Sequence, residues 1–590
     1  MRSGYLPRLG FYGFAAATIA LAGFSGCGGN KTSPPKPVVT LSDADKADFF
    51  KTEVTGKPGG RFTDATIADP KTFNPLLASE TSSTDILANI FDGLVARNPE
   101  TLKFEANLAD SWTESPDHLT WTFKLRKGVK WSDGEPFTAD DVVFTLDLVY
   151  DKNIPNSARD VLTFDGKPLA YKKVDDATVE FKLPSPVGPF LDLIGVGILP
   201  KHKLEKIWKS GGFNTTWALN TPPADIVGTG PFTISKYTAG QSIAYKKNSY
   251  YWRVSSDGKQ LPFLDGGSTQ VVPDLNTVVL RFKAKETDYT GVRAQDWASI
   301  QSDASSGDYK TLNSGPAWGF SYLGFNVNPA NIKMPEYKRA WFNKKEFRQA
   351  ISFALDRDNM VATAFRGMGR PLYSPVSPAN KLFFDEKLKP FPLDPAKSTA
   401  LLASIGLSKK NSDGVLVDDA GHEVEFTVMT NTGNNINLQI CTAIQENLKK
   451  IGVKVTVTPV EFNSLVERLR KTYDWEANVL AFTGGVEPCN GRNIWSSSGL
   501  SHVWWPKEPK PATDWEAEID KTFVDAVKET DEAKRKALFD RWQEIIYDEQ
   551  PIVFLATGDS LSAVRNKLTN VRPNALARAL KWNAYEFSEK

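Results

Sequence analysis

Apolar and polar positions alternate strictly from Leu119 to Arg126. Leu119, Trp121, Phe123 and Leu125 fall on one side of a strand, and Thr120, Thr122, Lys124 and Arg126 on the other. Lys127-Gly128 permits a tight reversal, and Val129 and Trp131 resume the alternation, so the pattern predicts a hairpin. Ser132-Asp133-Gly134-Glu135-Pro136 reads as a turn, because Asp bonds its own backbone and Gly tolerates positive φ. The period then changes. Val142, Val143, Leu146 and Val149 form a helical stripe, with Thr138 as N-cap and Asp141 three residues on in the capping-box position. Asp140 and Asp141 lie near the positive end of that helix dipole.

The same two periods organise the rest of the chain. Strands are expected from Gly60 to Asp64, in ATVEFKLPSP within 161–199, in the hairpin FTISKYTAGQSIAYKKN, and from Val279 to Phe282. WGFSYLGFNV, Trp318 to Val327, is largely apolar and reads as a buried strand. Helices are expected near Ser83–Phe91, Phe347–Leu355, Ala396–Ile405 and over most of Glu516–Glu549. Strand Glu423–Met429, helix Ile436–Ile451 and strand Val453–Val457 form a β-α-β succession that favours a partly parallel sheet, and Pro551–Leu555 supplies a late apolar strand. No repeat of solenoid or propeller period is present. The fold class is therefore α/β, with more than one core.

Composition narrows the function classes. The 590 residues carry 71 Lys+Arg against 70 Asp+Glu, a formal net charge of +1, which gives no electrostatic case for a nucleic-acid binder. The amino terminus differs in kind. A short basic start with Arg2 and Arg8 precedes an apolar run from Leu9 to Phe24, shorter than the ~20 residues needed to span a bilayer, and it reads as a signal peptide over residues 1–26. Phe24-Ser25-Gly26-Cys27 resembles the lipobox of bacterial lipoproteins, with Phe24 where Leu is usual, and this resemblance implies a lipid on Cys27. Residues 27–58, beginning CGGNKTSPPKP, have the composition of a flexible tether. An incidental cysteine after an ordinary cleaved signal is the alternative. Cys441 and Cys489 remain, and their pairing is open.

A search for catalytic machinery returns little. The four histidines, His118, His202, His422 and His502, stand in no familiar metal-ligand spacing, so neither a metal nor a cofactor is expected. There is no G-x-S-x-G elbow and no Walker A loop, and Gly228-Thr229-Gly230 runs into Pro231 rather than a phosphate-binding helix start. Carboxylate pairs such as Asp140-Asp141 and Asp418-Asp419 sit at helix starts and turns.

The segment NLADSWTESPDHLTWTFKLRKGVKWSDGEPFTADDVVFTL closely resembles the signature region of family 5 extracellular solute-binding proteins, the peptide receptors of ABC importers. Its fixed points are Leu108-Ala109-x-Ser111-Trp112, Leu125-Arg126-x-Gly128-Val129, Trp131-x-Asp133-Gly134 and Asp140-Asp141-Val142. Asp92-Gly93-Leu94-Val95, GTGPFTISKYTAGQSIAYKKNSYYW, LGFNVNP, FRQAISFALDRDNMV and PIVFLATGDSLSAVR follow in the family's order, so the resemblance covers roughly residues 60 to 590. It implies a two-lobed periplasmic-binding-protein-like clamp with an additional inserted domain. Lobe I would comprise 59–95, 228–313 and 554–590, the inserted domain 96–227 and lobe II 314–553, with crossings near Gly315-Pro316 and Pro551.

The implied function is non-catalytic: an exported, lipid-anchored monomer captures a peptide or other oligomeric solute between its lobes and delivers it to an ABC permease and its ATPase. The ligand loop would be Phe482-Thr483-Gly484-Gly485-Val486-Glu487-Pro488, with Asn490, Arg492, Asn493 and Trp495 just beyond it. Phe73, Asn74, Trp318 and Tyr322 would face the cleft from other segments. Peptide-binding relatives hold the α-amino group with an aspartate, and the matching position here is Gly484, with Glu487 the nearest acid. That departure leaves open an oligosaccharide ligand, for which Trp495, Trp504 and Trp505 would offer stacking faces. An exported hydrolase using unmarked carboxylates is the alternative from a different class.

Overall fold

The strand expected in the opening motif forms over Thr120–Leu125, but its partners are not those the pattern suggested. It lies between Ala109–Glu114 and Thr178–Lys182 in an antiparallel four-stranded sheet completed by Ala170–Asp175. No hairpin forms about Lys127-Gly128. The residues beyond it close locally instead: Lys130 bridges to Pro136, and the Trp131 and Phe137 amides donate to the Glu135 and Val129 carbonyls at 2.8 and 3.0 Å. The Asp133-Gly134 turn thus takes the hydrogen bonds that a hairpin would have used.

The helix then runs over Ala139–Tyr150 with the expected capping box between Thr138 and Asp141. Asp141 is buried and accepts from the Thr138 amide (3.0 Å), the Trp131 indole (3.2 Å) and the Lys201 amide (2.9 Å). One carboxylate therefore ties the turn, the helix and the start of helix Lys201–Lys209 together. Asp141→Ala would orphan the buried Trp131 indole and two half-buried amides, and destabilise this unit by about 2–4 kcal/mol. Urea titration followed by Trp fluorescence should record that loss while solute affinity stays unchanged.

The computed structural model describes residues 41, 42, 46, 48–164, 166–577 and 582–590, all within the unit Leu41–Lys590. The signal peptide and Cys27 lie outside the described residues. A second four-stranded sheet pairs the hairpin Phe232–Thr238 and Ser242–Lys247 with Gly266–Val271, and adds Arg61–Thr66 in parallel. The five-stranded sheet orders Lys454–Val460, Glu425–Asn431, Ala477–Phe482, Phe320–Phe325 and Ile552–Phe554. The predicted β-α-β unit is present: Glu425–Asn431 and Lys454–Val460 are parallel, joined by helix Asn435–Lys450. Phe320–Phe325 is an interior strand buried at all six positions, as its largely apolar run leads one to expect.

One element was misjudged in type. Val279 to Phe282, expected as a strand, belongs to helix Leu275–Lys283. Leu275, Val278, Val279 and Phe282 have helical spacing, and Asp274 caps the helix by accepting from the Thr277 amide at 2.8 Å.

The long strand Ala556–Arg565 pairs with Tyr289–Val292, Tyr309–Pro316 and Gly369–Pro371. Two strand pairs run on from this sheet into the five-stranded one. Tyr309–Pro316 continues as Phe320–Phe325, and Ile552–Phe554 continues through Leu555 as Ala556–Arg565. The second passage thus falls at Leu555, just beyond the strand that Pro551 opens. Paired adjacent crossings concentrate the connection between the two sheet systems in two short backbone segments.

Candidate functional site

Three adjoining cavities, each touching Asn434, lie between the sheet that holds Arg61–Thr66 and the five-stranded sheet. Their volumes are about 380, 380 and 510 Å³, within the range of small-molecule sites. The first has Ser79, Glu80 and Thr81 on one side and Tyr322, Asn437, Phe462, Arg470 and Phe482 on the other. The largest reaches Trp318, Thr483 and Gly484, beside the chain crossings.

Opposite charges meet beside the first cavity, where the Ser79 hydroxyl contacts both Glu80 and Arg470. Glu80 is buried at the start of helix Thr81–Leu87; its carboxylate accepts from the Ser83 hydroxyl and from the Ser79 amide and hydroxyl at 3.4 Å. Arg470, from the turn that follows helix Phe462–Glu467, donates to the Ser79 hydroxyl at 2.7 Å. Burial lowers the Arg470 pKa, and the field of Glu80 opposes that shift. Asn434, which lines all three cavities, caps helix Asn435–Lys450 with its side chain by accepting from the Asn437 amide at 3.2 Å. That helix directs its unpaired amides toward the cavities.

The two sides touch directly. Besides Arg470 and Ser79, Asn435 donates to Asn276 at 3.3 Å. Gly433 has φ +76°, and a side chain there would come within 2.4 Å of the Pro273 carbonyl oxygen, so only glycine permits this approach.

Of the residues expected from sequence, Trp318, Tyr322, Phe482, Thr483 and Gly484 line these cavities. Tyr322 and Phe482 are stacked, 5.4 Å between centroids. Gly484 is more than the loss of an acid. A Cβ there would lie 1.9 Å from the Trp318 carbonyl oxygen, so no side chain of any kind fits this backbone.

The remaining expected residues lie outside the three cavities. Phe73 is buried against Tyr237, and Asn74 turns its own loop by accepting from the Leu76 amide at 3.1 Å. Glu487 is 2% exposed, pairs with Arg535 at 3.0 Å and accepts from the Cys489 amide. Asn490 is exposed on the helical turn Pro488–Gly491. Arg492 donates to the Thr163 carbonyl at 3.1 Å, and Asn493 accepts from the Leu500 amide at 2.7 Å. Trp495 and Trp504 are each 3% exposed; Trp495 packs among Phe320 and Trp542, whereas the Trp504 indole donates to Glu516. Trp505 borders a separate small cavity. Cys441 and Cys489 are buried free thiols.

Glu80, Arg470 and Asn434 are the site residues that periodicity did not find. Glu80 sits in the polar run SETSS and Arg470 in ERLRK, both of which look like solvated surface until the tertiary fold brings them together.

Comparison with known proteins decides the family. Residues 103–500 match the middle region of bacterial extracellular solute-binding proteins, family 5. The chain belongs to that family. A probable ABC transporter-binding protein of Deinococcus radiodurans is 32% identical over 84% of this chain and 87% of its own length. The oligopeptide-binding protein AppA of Bacillus subtilis is 30% identical over 90% of each chain. Its structure with a nonapeptide gives a TM-score of 0.78 at 28% identity, covering 91% of this chain and all of that one. The fold is also that of the Agrobacterium fabrum binding protein MelB in complex with stachyose, with a TM-score of 0.79 at 21% identity over 92% and 86% of the chains. The family 5 chain is thus a two-lobed solute-binding protein of an ABC transporter and not an enzyme. Among the described residues, no helix is long and apolar enough to cross a membrane.

Proposed function

We propose that this solute-binding protein takes up an oligopeptide, gripping it in the cavities around Asn434 and handing it unaltered to its permease. The observation that carries this reading is the pair of opposite charges, buried Glu80 and half-buried Arg470, that line one cavity. A peptide brings charged and hydrogen-bonding groups that can pair with either, and a neutral sugar brings no charge. Burial makes each protein charge costly unless paired, so a charged ligand gains most from them. The oligosaccharide alternative draws less support, because Trp495 and Trp504 are enclosed and Trp318 is the one tryptophan lining the three cavities.

In this reading 59–95, 228–313 and 554–590 form lobe I, 314–553 forms lobe II and 96–227 is the insert, which stands apart from the ligand. Trp318, Tyr322, Phe482, Thr483 and Gly484 join Glu80, Arg470 and Asn434 as contacts. Ligand touching both lobes in the closed form favours closure by its difference in affinity between the two states. A monomer exported by residues 1–26 and held at a membrane through Cys27 and the 27–58 tether fits this role; one acyl chain alone would anchor only marginally.

The test is native mass spectrometry of the purified protein offered a mixture of peptides and neutral oligosaccharides. Retention of peptides with unchanged mass is the expected result. Exclusive retention of glycans, or release of cleaved peptides, overturns it.

A further inference from the structure

Beside the cavity that contains Arg470 lies a buried group of side chains outside the contacts assigned above to the solute. His502, Glu508 and Glu516 are all buried, and each offers one ligand atom such that all three atoms lie within 4.8 Å of one another. His502 Nε2 and Glu508 Oε2 are 3.7 Å apart, with both side chains fully enclosed.

Their hydrogen bonding is uneven. Glu516 is engaged: it accepts from the Trp504 indole at 2.9 Å, the Ala512 amide at 3.1 Å and the Thr513 hydroxyl at 2.7 Å. His502 Nε2 and both Glu508 oxygens make no hydrogen bond of standard geometry, with the Ser497 hydroxyl and the Ala512 amide the nearest donors to Glu508. Three unpaired polar atoms converging on one buried point carry a large desolvation cost unless something satisfies them together.

The imidazole is oriented for that task. His502 Nδ1 lies 3.0 Å from the Ile494 carbonyl oxygen, which only an Nδ1–H can satisfy, so the Nε2 lone pair faces the two carboxylates. A backbone carbonyl holding one ring nitrogen while the other is presented inward is the arrangement seen behind metal-ligating histidines. The ring is further fixed against Trp504, 4.0 Å between centroids.

We propose that His502, Glu508 and Glu516 form a binding site for a divalent transition-metal ion of the zinc class. One imidazole nitrogen and two carboxylate oxygens suit a borderline cation, whose bonds of about 2.0–2.2 Å set tetrahedral ligand atoms about 3.3–3.6 Å apart. The 3.7 Å pair already approaches this, and modest side-chain rotation brings in the third atom. The site joins loop residues 502 and 508 to helix Asp514–Lys528, while Ser501, His502 and Val503 also border the cavity that contains Arg470. A bound ion would therefore brace one wall of the cleft. The spacing H-x5-E-x7-E belongs to no familiar motif, which is why the sequence did not announce it.

The test uses untagged full-length protein, saturated with zinc chloride and desalted, with metal content measured by elemental mass spectrometry. About one zinc per chain is expected, together with a saturable rise in melting temperature that a strong chelator reverses. Glu508→Gln keeps the shape and removes an anionic ligand, so its zinc content should fall at least tenfold. Should that variant fail to fold, cobalt(II) titration of the unaltered protein replaces it, with visible absorption bands of a nitrogen–oxygen tetrahedral site expected. Zinc content below about a tenth of an equivalent without cobalt bands overturns the proposal. In that case a proton held by Glu508 and donated to His502 Nε2 satisfies the pair instead.

Discussion

Glu80→Gln is expected to weaken binding of a free-amino-terminal peptide by roughly 30-fold or more, because truncating one partner of a buried charge pair costs about 2–5 kcal/mol. The substitution is isosteric: Gln keeps an oxygen for the Ser83 hydroxyl, loses the negative charge and replaces the oxygen that accepts from Ser79 by an amide donor. The decisive measurement is a chemical cycle by calorimetry. N-acetylation of the peptide should reduce its affinity for the unaltered protein by a similar factor, yet change little for Glu80→Gln, since ammonium and carboxylate are then one interaction removed twice. Equal affinity of the unaltered protein for free and acetylated peptide would assign Glu80 to the protein's own charge balance with Arg470. The direction of the pKa shift at Arg470 adds a second check. Burial depresses it and Glu80 opposes that, so the variant should lower it further without reaching neutrality near pH 7.

The contrast between Glu80 and the residues expected from sequence shows what a linear pattern carries. Period-two and period-3.6 spacing located Thr120–Leu125, Phe320–Phe325, the β-α-β unit about Asn435–Lys450 and the capped helix Ala139–Tyr150, because each is a local consequence of apolar spacing and caps. It erred where two local solutions compete. Val279 to Phe282 is β-branched and aromatic, which suits a strand, but the Asp274 cap and the i, i+3, i+4, i+7 spacing from Leu275 favour the helix. Strand partnership after Lys127-Gly128 was likewise set by tertiary pairing.

The site was less legible for a related reason. Aromatic and glycine-rich segments drew notice, and some of them do line the cavities: Trp318, Tyr322 and Phe482 from two neighbouring strands, with Gly484 at the close approach to the Trp318 carbonyl. Trp495 and Trp504 look alike in sequence but are core, packed on Phe320, Trp542 and Trp515. The charged residues that give the cleft its polarity come from segments nearly 400 positions apart, and only the fold makes Ser79–Glu80 and Arg470 neighbours.

Arg535→Met is expected to destabilise the protein by about 3–5 kcal/mol at neutral pH, as removing one member of a buried ion pair does. Arg535 and Glu487 are 3.0 Å apart, and both are buried. Without the guanidinium, Glu487 keeps only neutral donors from Cys489, its amide and its thiol. Burial already raises the Glu487 pKa above its ordinary value of 4.5, and Arg535 opposes that rise. A carboxyl whose folded pKa is raised favours the folded state below the unfolded value, and that contribution is lost as pH climbs through the folded pKa. Removing Arg535 lifts the folded pKa further, so the penalty should be greatest at neutral pH and shrink as pH falls toward about 5. Thermal melts of the variant against the unaltered protein across that interval measure it. Glu487→Gln added to Arg535→Met should recover a large part of the loss, because the uncompensated charge, rather than the missing attraction, is what destabilises the single variant. If the double variant is no more stable than the single one, the damage lies instead in the packing of Arg535 over the Phe383 ring, 5.5 Å from its centroid.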